Sequence, residues 1–252
     1  MTLLITGGAS GIGAATARLA AARGHKVAIN YRSREAEAKA VVADIIAKGG
    51  RAVALPADVS READISGLFD GTEKALGPIT HVVNSAGISA SSRVEDFDAA
   101  VLVKLFAVNA VGLMLCCREA ARRMSTRRGG KGGVIVNVSS MAATIGGRPG
   151  ASAYAASKAA VDSFTMGFAK EVAPEGIRAV SLRPGMIETE MTERTLADRE
   201  VRAAIESTIA MGRVGQAGEI ANAILWLLSD EASFISGVTL DASGGGFVFG
   251  KR

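Results

Sequence analysis

The 252-residue chain is 48% hydrophobic but only 4% aromatic, with 30 glycines. That composition excludes a disordered chain and calls for a core of Ala, Val, Ile and Leu with many tight turns. The 29 basic residues against 25 acidic ones give a net charge of +4, too scattered to suggest a nucleic-acid partner.

Met1-Thr2-Leu3-Leu4-Ile5 enters a strand pattern with no charged leader or long apolar run, so neither a signal peptide nor a membrane anchor is expected. Thr6-Gly7-Gly8-Ala9-Ser10-Gly11-Ile12-Gly13 follows, and an Ala-rich helical pattern covers 14–23. Strand, glycine turn and helix form a phosphate-binding unit in nucleotide folds, because glycine lets the backbone approach a pyrophosphate at the helix N-terminus. A plain structural turn is the alternative, since the spacing is not GxGxxG. His25 and His81 each precede a strand pattern and read as turn or packing residues.

The second strand covers 26–31 and ends at Asn30-Tyr31-Arg32. An acid near this point binds ribose hydroxyls in NAD-binding folds, whereas guanidinium pairs with a 2′-phosphate. Asn30, Arg32 and Arg34 therefore favour NADP(H) over NAD(H), although arginines at the solvated start of a helix are also common. A helix over 33–48 and a strand over 52–55 lead to Asp58-Val59. Asp58 is placed for an adenine edge, or as the N-cap of the next helix, or both.

Strand four, 80–83, leads into Asn84-Ser85-Ala86-Gly87, whose small residues admit a ligand to the backbone. A long helix is predicted over 97–123, with Asn109 inside an apolar stretch. It is either a satisfied buried amide or one that opens the helix and holds a water. Adjacent Cys116 and Cys117 suit neither a metal quartet nor a disulfide staple and read as reduced thiols in a cytoplasmic protein. Arg122-Arg123 and Arg127-Arg128 close the helical pattern, where positive charge favours the C-terminus.

The apolar strand 134–138 ends at Ser139-Ser140, and a glycine-rich loop leads to a helix over 151–171. That helix carries Tyr154 and Lys158, which i, i+4 spacing puts on one face. A cation beside a phenol lowers its pKa from the usual value near 10, which would suit proton transfer. Strand six, 178–182, runs into Pro184-Gly185-Met186-Ile187; the polar segment 188–215 reads as a flap or as surface helices. A helix over 217–228 and a strand over 237–241 complete a single α/β domain spanning 1–252: a Rossmann-like, doubly wound, seven-stranded parallel sheet with helices on both faces. The apolar tail 244–249 suggests burial against a partner subunit.

The motifs Thr6 to Gly13, Asn84 to Gly87, Asn109, Ser140, Tyr154-x3-Lys158 and Pro184-Gly185, in this order, closely resemble the short-chain dehydrogenase/reductase family. The sequence departs from the family's pattern at Ser85, where a second Asn is frequent, and at Ser10, where NADP-preferring members often carry a basic residue. The resemblance implies hydride exchange between NADP(H) and a small carbonyl or alcohol, without a metal. Tyr154 would be the acid or base, Ser140 the hydrogen-bond donor to the substrate oxygen, Lys158 the holder of the nicotinamide ribose, and Asn109 the residue ordering a water. Gly7, Ser10, Gly11, Ile12 and Gly13 would cradle the pyrophosphate. Asn30, Tyr31, Arg32, Asp58, Val59, Asn84, Ala86 and Gly87 would line the adenosine side, and Pro184, Gly185, Ile187 and Thr189 the carboxamide. Segments 89–95, 144–149 and 188–211 would set substrate specificity, and a homodimer or homotetramer is expected. A sugar or polyol dehydrogenase is the alternative within the family, and a non-catalytic binding protein the alternative outside it.

Overall fold

The computed structural model describes residues 1–246. Phe247, Val248 and Phe249, on which much of the expected subunit contact rests, lie outside the described residues.

Short apolar runs, each bounded by glycine or proline, become strands because both of their faces can be buried. In chain order the elements are β1 (Thr2–Thr6), α1 (Gly11–Ala22), β2 (Lys26–Tyr31), α2 (Glu35–Ala47), β3 (Arg51–Pro56), α3 (Glu62–Leu76) and β4 (His81–Asn84). Then come α4 (Ala99–Phe106), a π-helical turn over Ala107–Gly112, α5 (Leu113–Met124), β5 (Gly133–Val138), α6 (Ala142–Ile145), α7 (Ser152–Val172) and β6 (Ile177–Pro184). The chain continues with β7 (Ile187–Glu188), α8 (Glu193–Leu196), α9 (Arg199–Glu206), β8 (Gly215–Gln216), α10 (Ala217–Leu228) and β9 (Thr239–Ala242).

Seven parallel strands form one sheet in the order β3-β2-β1-β4-β5-β6-β9. The order reverses between β1 and β4, where open sheets of this kind bind ligands beyond the strands' carboxyl ends. Alternation along β1 sorts the core: Leu3 and Ile5 face one layer with α1, α2 and α10, while Leu4 faces the other with α3, α5 and α7. The predicted helix over 97–123 is interrupted in its middle by the π turn that carries Asn109. By length and apolarity the run Ala99–Met124 would span a membrane. In this fold it lies on the sheet, burying Leu105, Val108, Leu113, Cys116, Cys117 and Met124. Burial pushes both thiols up, Cys117 to about 12, so they stay protonated.

The basic residues in the last turn of α5 make ion pairs instead of a free patch. Arg123 reaches Asp70 at 2.9 Å and Glu73 at 3.1 Å, and Arg122 reaches Glu119 at 2.9 Å. The segment between β7 and β8 folds around its own small cluster of Leu196, Ile205, Ile209 and Val214. Glu188 is tied to Arg202 at 3.0 Å and to Gln216 at 2.9 Å.

Candidate active site

The carboxyl ends of β1 to β6 open into a cleft of about 880 Å³. Gly7 (φ +67) and Gly11 (φ +51) adopt left-handed backbone that other residues resist. A Cβ on Gly7 would stand 2.8 Å from Ala86 Cα, so the glycine turn and the end of β4 touch main chain to main chain. Gly13 is buried behind the cleft: a Cβ there would meet Gly7 O at 2.3 Å. Its role is close packing of α1 against the turn, not the direct contact expected from sequence. Ser10, the residue before α1, makes no side-chain cap bond and lines the cleft with Gly7, Gly11 and Ile12. This cradle with unoccupied donors at a helix start fits a pyrophosphate.

Asn30 is buried and neutral. Its Oδ1 accepts from Gly7 N at 3.3 Å, and its Nδ2 donates to Ala57 O at 2.9 Å and Tyr31 O at 3.2 Å. One amide thus joins the ends of β1, β2 and β3, and a carboxylate there could not donate either bond. Tyr31, Arg32, Arg34, Asp58, Val59, Ala86 and Gly87 line the same end of the cleft. Asp58 is not a helix cap, since α3 starts only at Glu62. Its Oδ1 accepts from Ser60 N at 2.9 Å and Ser60 Oγ at 2.7 Å. Burial raises the Asp58 pKa, but Ser60, Arg32 and Arg61 together bring it below the ordinary value.

Asn84 lies beneath the cleft instead of lining it. Its Nδ2 donates to Asn137 Oδ1 at 2.9 Å, and Asn137 Nδ2 donates to Thr165 Oγ1 at 2.9 Å, linking β4, β5 and α7. Thr6 Oγ1 accepts from Ser85 N at 3.1 Å and Ala86 N at 3.2 Å. The structural roles of Thr6, Asn137 and Thr165 were absent from the sequence reading, because each depends on a neighbour distant in the chain.

α7 presents Tyr154 and Lys158 to the cleft, together with Ser140 from the end of β5. The two serines separate cleanly. Ser139 is buried and donates to Lys158 O at 3.0 Å, whereas Ser140 is part-exposed in the cleft and acts on Tyr154. Lys158 is buried, with Nζ donating to Val138 O at 2.9 Å. Burial lowers its pKa to about 8, opposed by Asp162 one turn on. Burial also raises the Tyr154 phenol, with Ser140 pulling the other way. The expected lowering of the phenol is not met here, because desolvation is the largest influence on Tyr154.

Asn109 is fully buried, outside the cleft lining, and accounts for its own amide. Its Oδ1 accepts from Ile88 N at 2.8 Å, and its Nδ2 donates to Ile88 O at 2.9 Å and Ser157 Oγ at 3.1 Å. Ser157 in turn donates to Tyr154 O at 2.7 Å. The amide is thus satisfied and braces the Tyr154 helix, while the π turn opens the helix around it.

Pro184, Gly185, Ile187 and Thr189 line the opposite wall, and Thr192 Oγ1 donates to Ile187 O at 2.6 Å. All three expected specificity segments contribute to the lining, through Ser89 and Ser91, through Ile145, Gly147, Arg148 and Pro149, and through Glu190, Met191, Ile205 and Ile209.

A parallel sheet with a glycine-cradled switch point and a Tyr/Lys helix beside a serine defines a nucleotide-dependent oxidoreductase, and the comparisons agree. The family model described as enoyl-(acyl carrier protein) reductase matches residues 7–246. An uncharacterized oxidoreductase, YgfF, of Escherichia coli K12 is 43% identical, covering 96% of this chain and 98% of its own. The 3beta-hydroxysteroid dehydrogenase 1 of Eggerthella lenta is 39% identical, covering 99% and 97% respectively. A solved short chain dehydrogenase from Burkholderia cenocepacia in complex with NADP has 34% identity and a TM-score of 0.88, covering 96% of each chain. The chain belongs to the short-chain dehydrogenase/reductase family and is an oxidoreductase of alcohol and carbonyl substrates.

Proposed function

We propose that the chain moves hydride reversibly between NADP(H) and a carbonyl or secondary alcohol, with Tyr154 as general acid in reduction and general base in oxidation. The carrying observation is that Ser140, Tyr154 and Lys158 line the same cleft as the Gly7–Gly11 cradle. When bound, the cofactor supplies or accepts the hydride.

The residues divide the remaining work. The raised pKa keeps the Tyr154 phenol protonated at neutral pH, so it donates to the substrate oxygen during reduction. Ser140 donates a hydrogen bond to that oxygen and offsets charge developing on it. Lys158 would hold the nicotinamide ribose hydroxyls. Its pKa of about 8 leaves it mostly charged at pH 7, and reduction that depends on the cation fades as pH rises above that value. Asn109 braces the helix through Ser157. Arg32, with Arg34, would pair with the 2′-phosphate, and neutral Asn30 removes the repulsion an acid would bring. Main-chain groups at Gly185 and Ile187, with the Thr189 hydroxyl, would hold the carboxamide, and residues 186–215 would act as the flap over substrate.

The test is NADPH consumption across a carbonyl panel with the reverse assay on alcohols, sugars and polyols. Turnover with NADPH at least about tenfold more efficient than with NADH is expected; a ratio near one would reject the phosphate role of Arg32. Faster oxidation of a sugar or polyol than any reduction would favour the alternative within the family.

A homodimer or homotetramer is supported by exposed Val103, Phe106, Val111 and Met166 on α4, the π turn and α7. The exposed positions of α7 from Ser152 to Gly167 carry no charge. Light scattering should give twice or four times the chain mass; a monomer at micromolar concentration would contradict it.

A further inference from the structure

One charged side chain at the substrate end of the cleft has no assigned task. Arg148 lines it beside Ser89, Ser91 and Pro149, six positions before Tyr154. We propose that Arg148 is the specificity-determining contact for an anionic oxyacid group, a carboxylate or a phosphate, carried by the substrate away from its reacting oxygen. The proposal rests on reading Ser140 and Tyr154 as the reacting end.

Main-chain hydrogen bonds tie the exposed loop that holds Arg148. Gly146, Gly147 and Gly150 take positive φ of 75°, 79° and 85°, and Pro149 restricts its own φ. Ala151 N donates to Arg148 O at 2.8 Å, and Ser92 N donates to Gly150 O at 3.0 Å. A Cβ on Gly150 would meet Ser91 Oγ at 2.8 Å, so the Arg148 loop sits against the serine loop. Two hydroxyls and a guanidinium at one mouth suit an oxyanion, because the planar fork of arginine binds two oxygens at once.

The charge balance of the cleft favours this reading. Among the described residues Arg148 has no acidic partner, and burial alone acts on its pKa, lowering it. Several arginines elsewhere are paired, such as Arg18 with Asp44, Arg183 with Asp162 and Arg213 with Glu219, whereas among the described residues Arg32, Arg34 and Arg148 in this cleft are not. The acids lining the cleft are Asp58 and Glu190. Asp58 follows β3 and is tied to Ser60, while Glu190 Oε2 lies 3.5 Å from the position of a Cβ on Gly11, at the phosphate cradle. Neither neutralises the substrate end, where Lys158 adds a second cation.

The 2′-phosphate of the cofactor does not account for Arg148. Arg32 follows β2 and Arg148 follows β5, which are separated by β1 and β4 in the sheet. Arg32 directly follows the strand that carries Asn30, whereas Arg148 lies ten residues past Val138, on the loop between Ser140 and Tyr154.

The experiment compares matched substrates with the NADPH-loaded enzyme: a keto acid against its methyl ester, and a keto phosphate against its dephosphorylated alcohol. Wild type should prefer the anion about 10–100-fold in kcat/KM, the range expected of a charge-assisted contact. Preference in the first pair alone assigns a carboxylate, and in the second alone a phosphate. Arg148→Ala should bring the ratio near one, chiefly through KM, with NADPH affinity held and Arg148→Lys recovering part. A wild-type ratio near one in both pairs, or a ratio that survives Arg148→Ala, would overturn the proposal. Absence of all turnover would instead contradict the hydride-transfer reading. Binding of acid against ester, followed by NADPH fluorescence, would then still decide the Arg148 assignment.

Discussion

The two ends of the same sheet treat their polar groups in opposite ways. At the amino end, side chains seal main-chain carbonyls: Arg178 donates to Ile235 O at 3.0 Å, Leu227 O at 3.0 Å and Ser229 O at 3.1 Å. Thr2 Oγ1 and Lys26 Nζ each reach Leu76 O at 3.1 Å, and His81 Nε2 lies 3.2 Å from Leu228 O. At the carboxyl end, Thr6, Asn30, Asn84 and Asn137 form a buried tie just below the strand ends, and the layer above it stays open. Ser140, Tyr154, Arg32 and Arg148 face the cleft there. One end closes the fold, and the other holds reactive groups on a braced floor. Changes at the first should alter stability without altering chemistry, and changes at the second should do the reverse.

The largest break in that pattern is expected at Gly13, a floor position that is also structural. In Gly13→Val the added carbon meets Gly7 O at 2.3 Å, and main chain must shift. Overpacking of this kind costs about 1–3 kcal/mol or more, and the cradle would open. A loss of NADPH affinity of at least about 100-fold is expected from fluorescence titration, with a lower melting temperature.

Arg178→Met keeps the packing and removes three bonds to carbonyls. Since each charged hydrogen bond contributes about 1.5–3 kcal/mol, denaturant unfolding should show a loss of at least about 3 kcal/mol. The kcat/KM of the folded variant should stay within twofold, and a specific loss of activity would break the comparison.

His81 sharpens it through pH. Burial and the neighbouring His25, 5.7 Å away ring to ring, lower its pKa from 6.5 to about 4. The unfolded chain therefore binds more protons between those values, and stability falls as pH drops through about 6.5 toward 4. The full effect is about 3 kcal/mol. Chemical denaturation at pH 7 and pH 5 should show part of it, and His81→Asn should flatten the dependence.

A smaller and mixed effect is expected at Asn30→Asp. A carboxylate cannot donate to Ala57 O or Tyr31 O, which costs about 1–3 kcal/mol. It would also repel a 2′-phosphate, so the NADPH over NADH preference should fall together with stability.

Much of the fold was legible because its signals are local. Apolar strand runs, glycine stops and the i, i+4 spacing of Tyr154 and Lys158 need only neighbours in sequence. The buried tie was not legible, because Asn84 meets Asn137 and Asn137 meets Thr165 only after the sheet forms. The bonds that satisfy the Asn109 amide were not legible, because its partners, Ile88 and Ser157, lie in other elements. The direction of the Tyr154 pKa differs for a related reason: spacing shows the neighbouring cation, but only the packed structure shows how far the phenol is desolvated. The segment 186–215 showed little pattern because its core is four residues brought together by short helices.

The proton-donor assignment of Tyr154 is tested most directly by Tyr154→Phe, which removes one oxygen and leaves the ring. NADPH titration and single-turnover reduction should be measured on the same preparation. The account predicts affinity within about threefold of wild type and a rate lower by about 100–10,000-fold, the scale of general acid catalysis. Turnover within a few fold of wild type, with the cofactor bound, would contradict it.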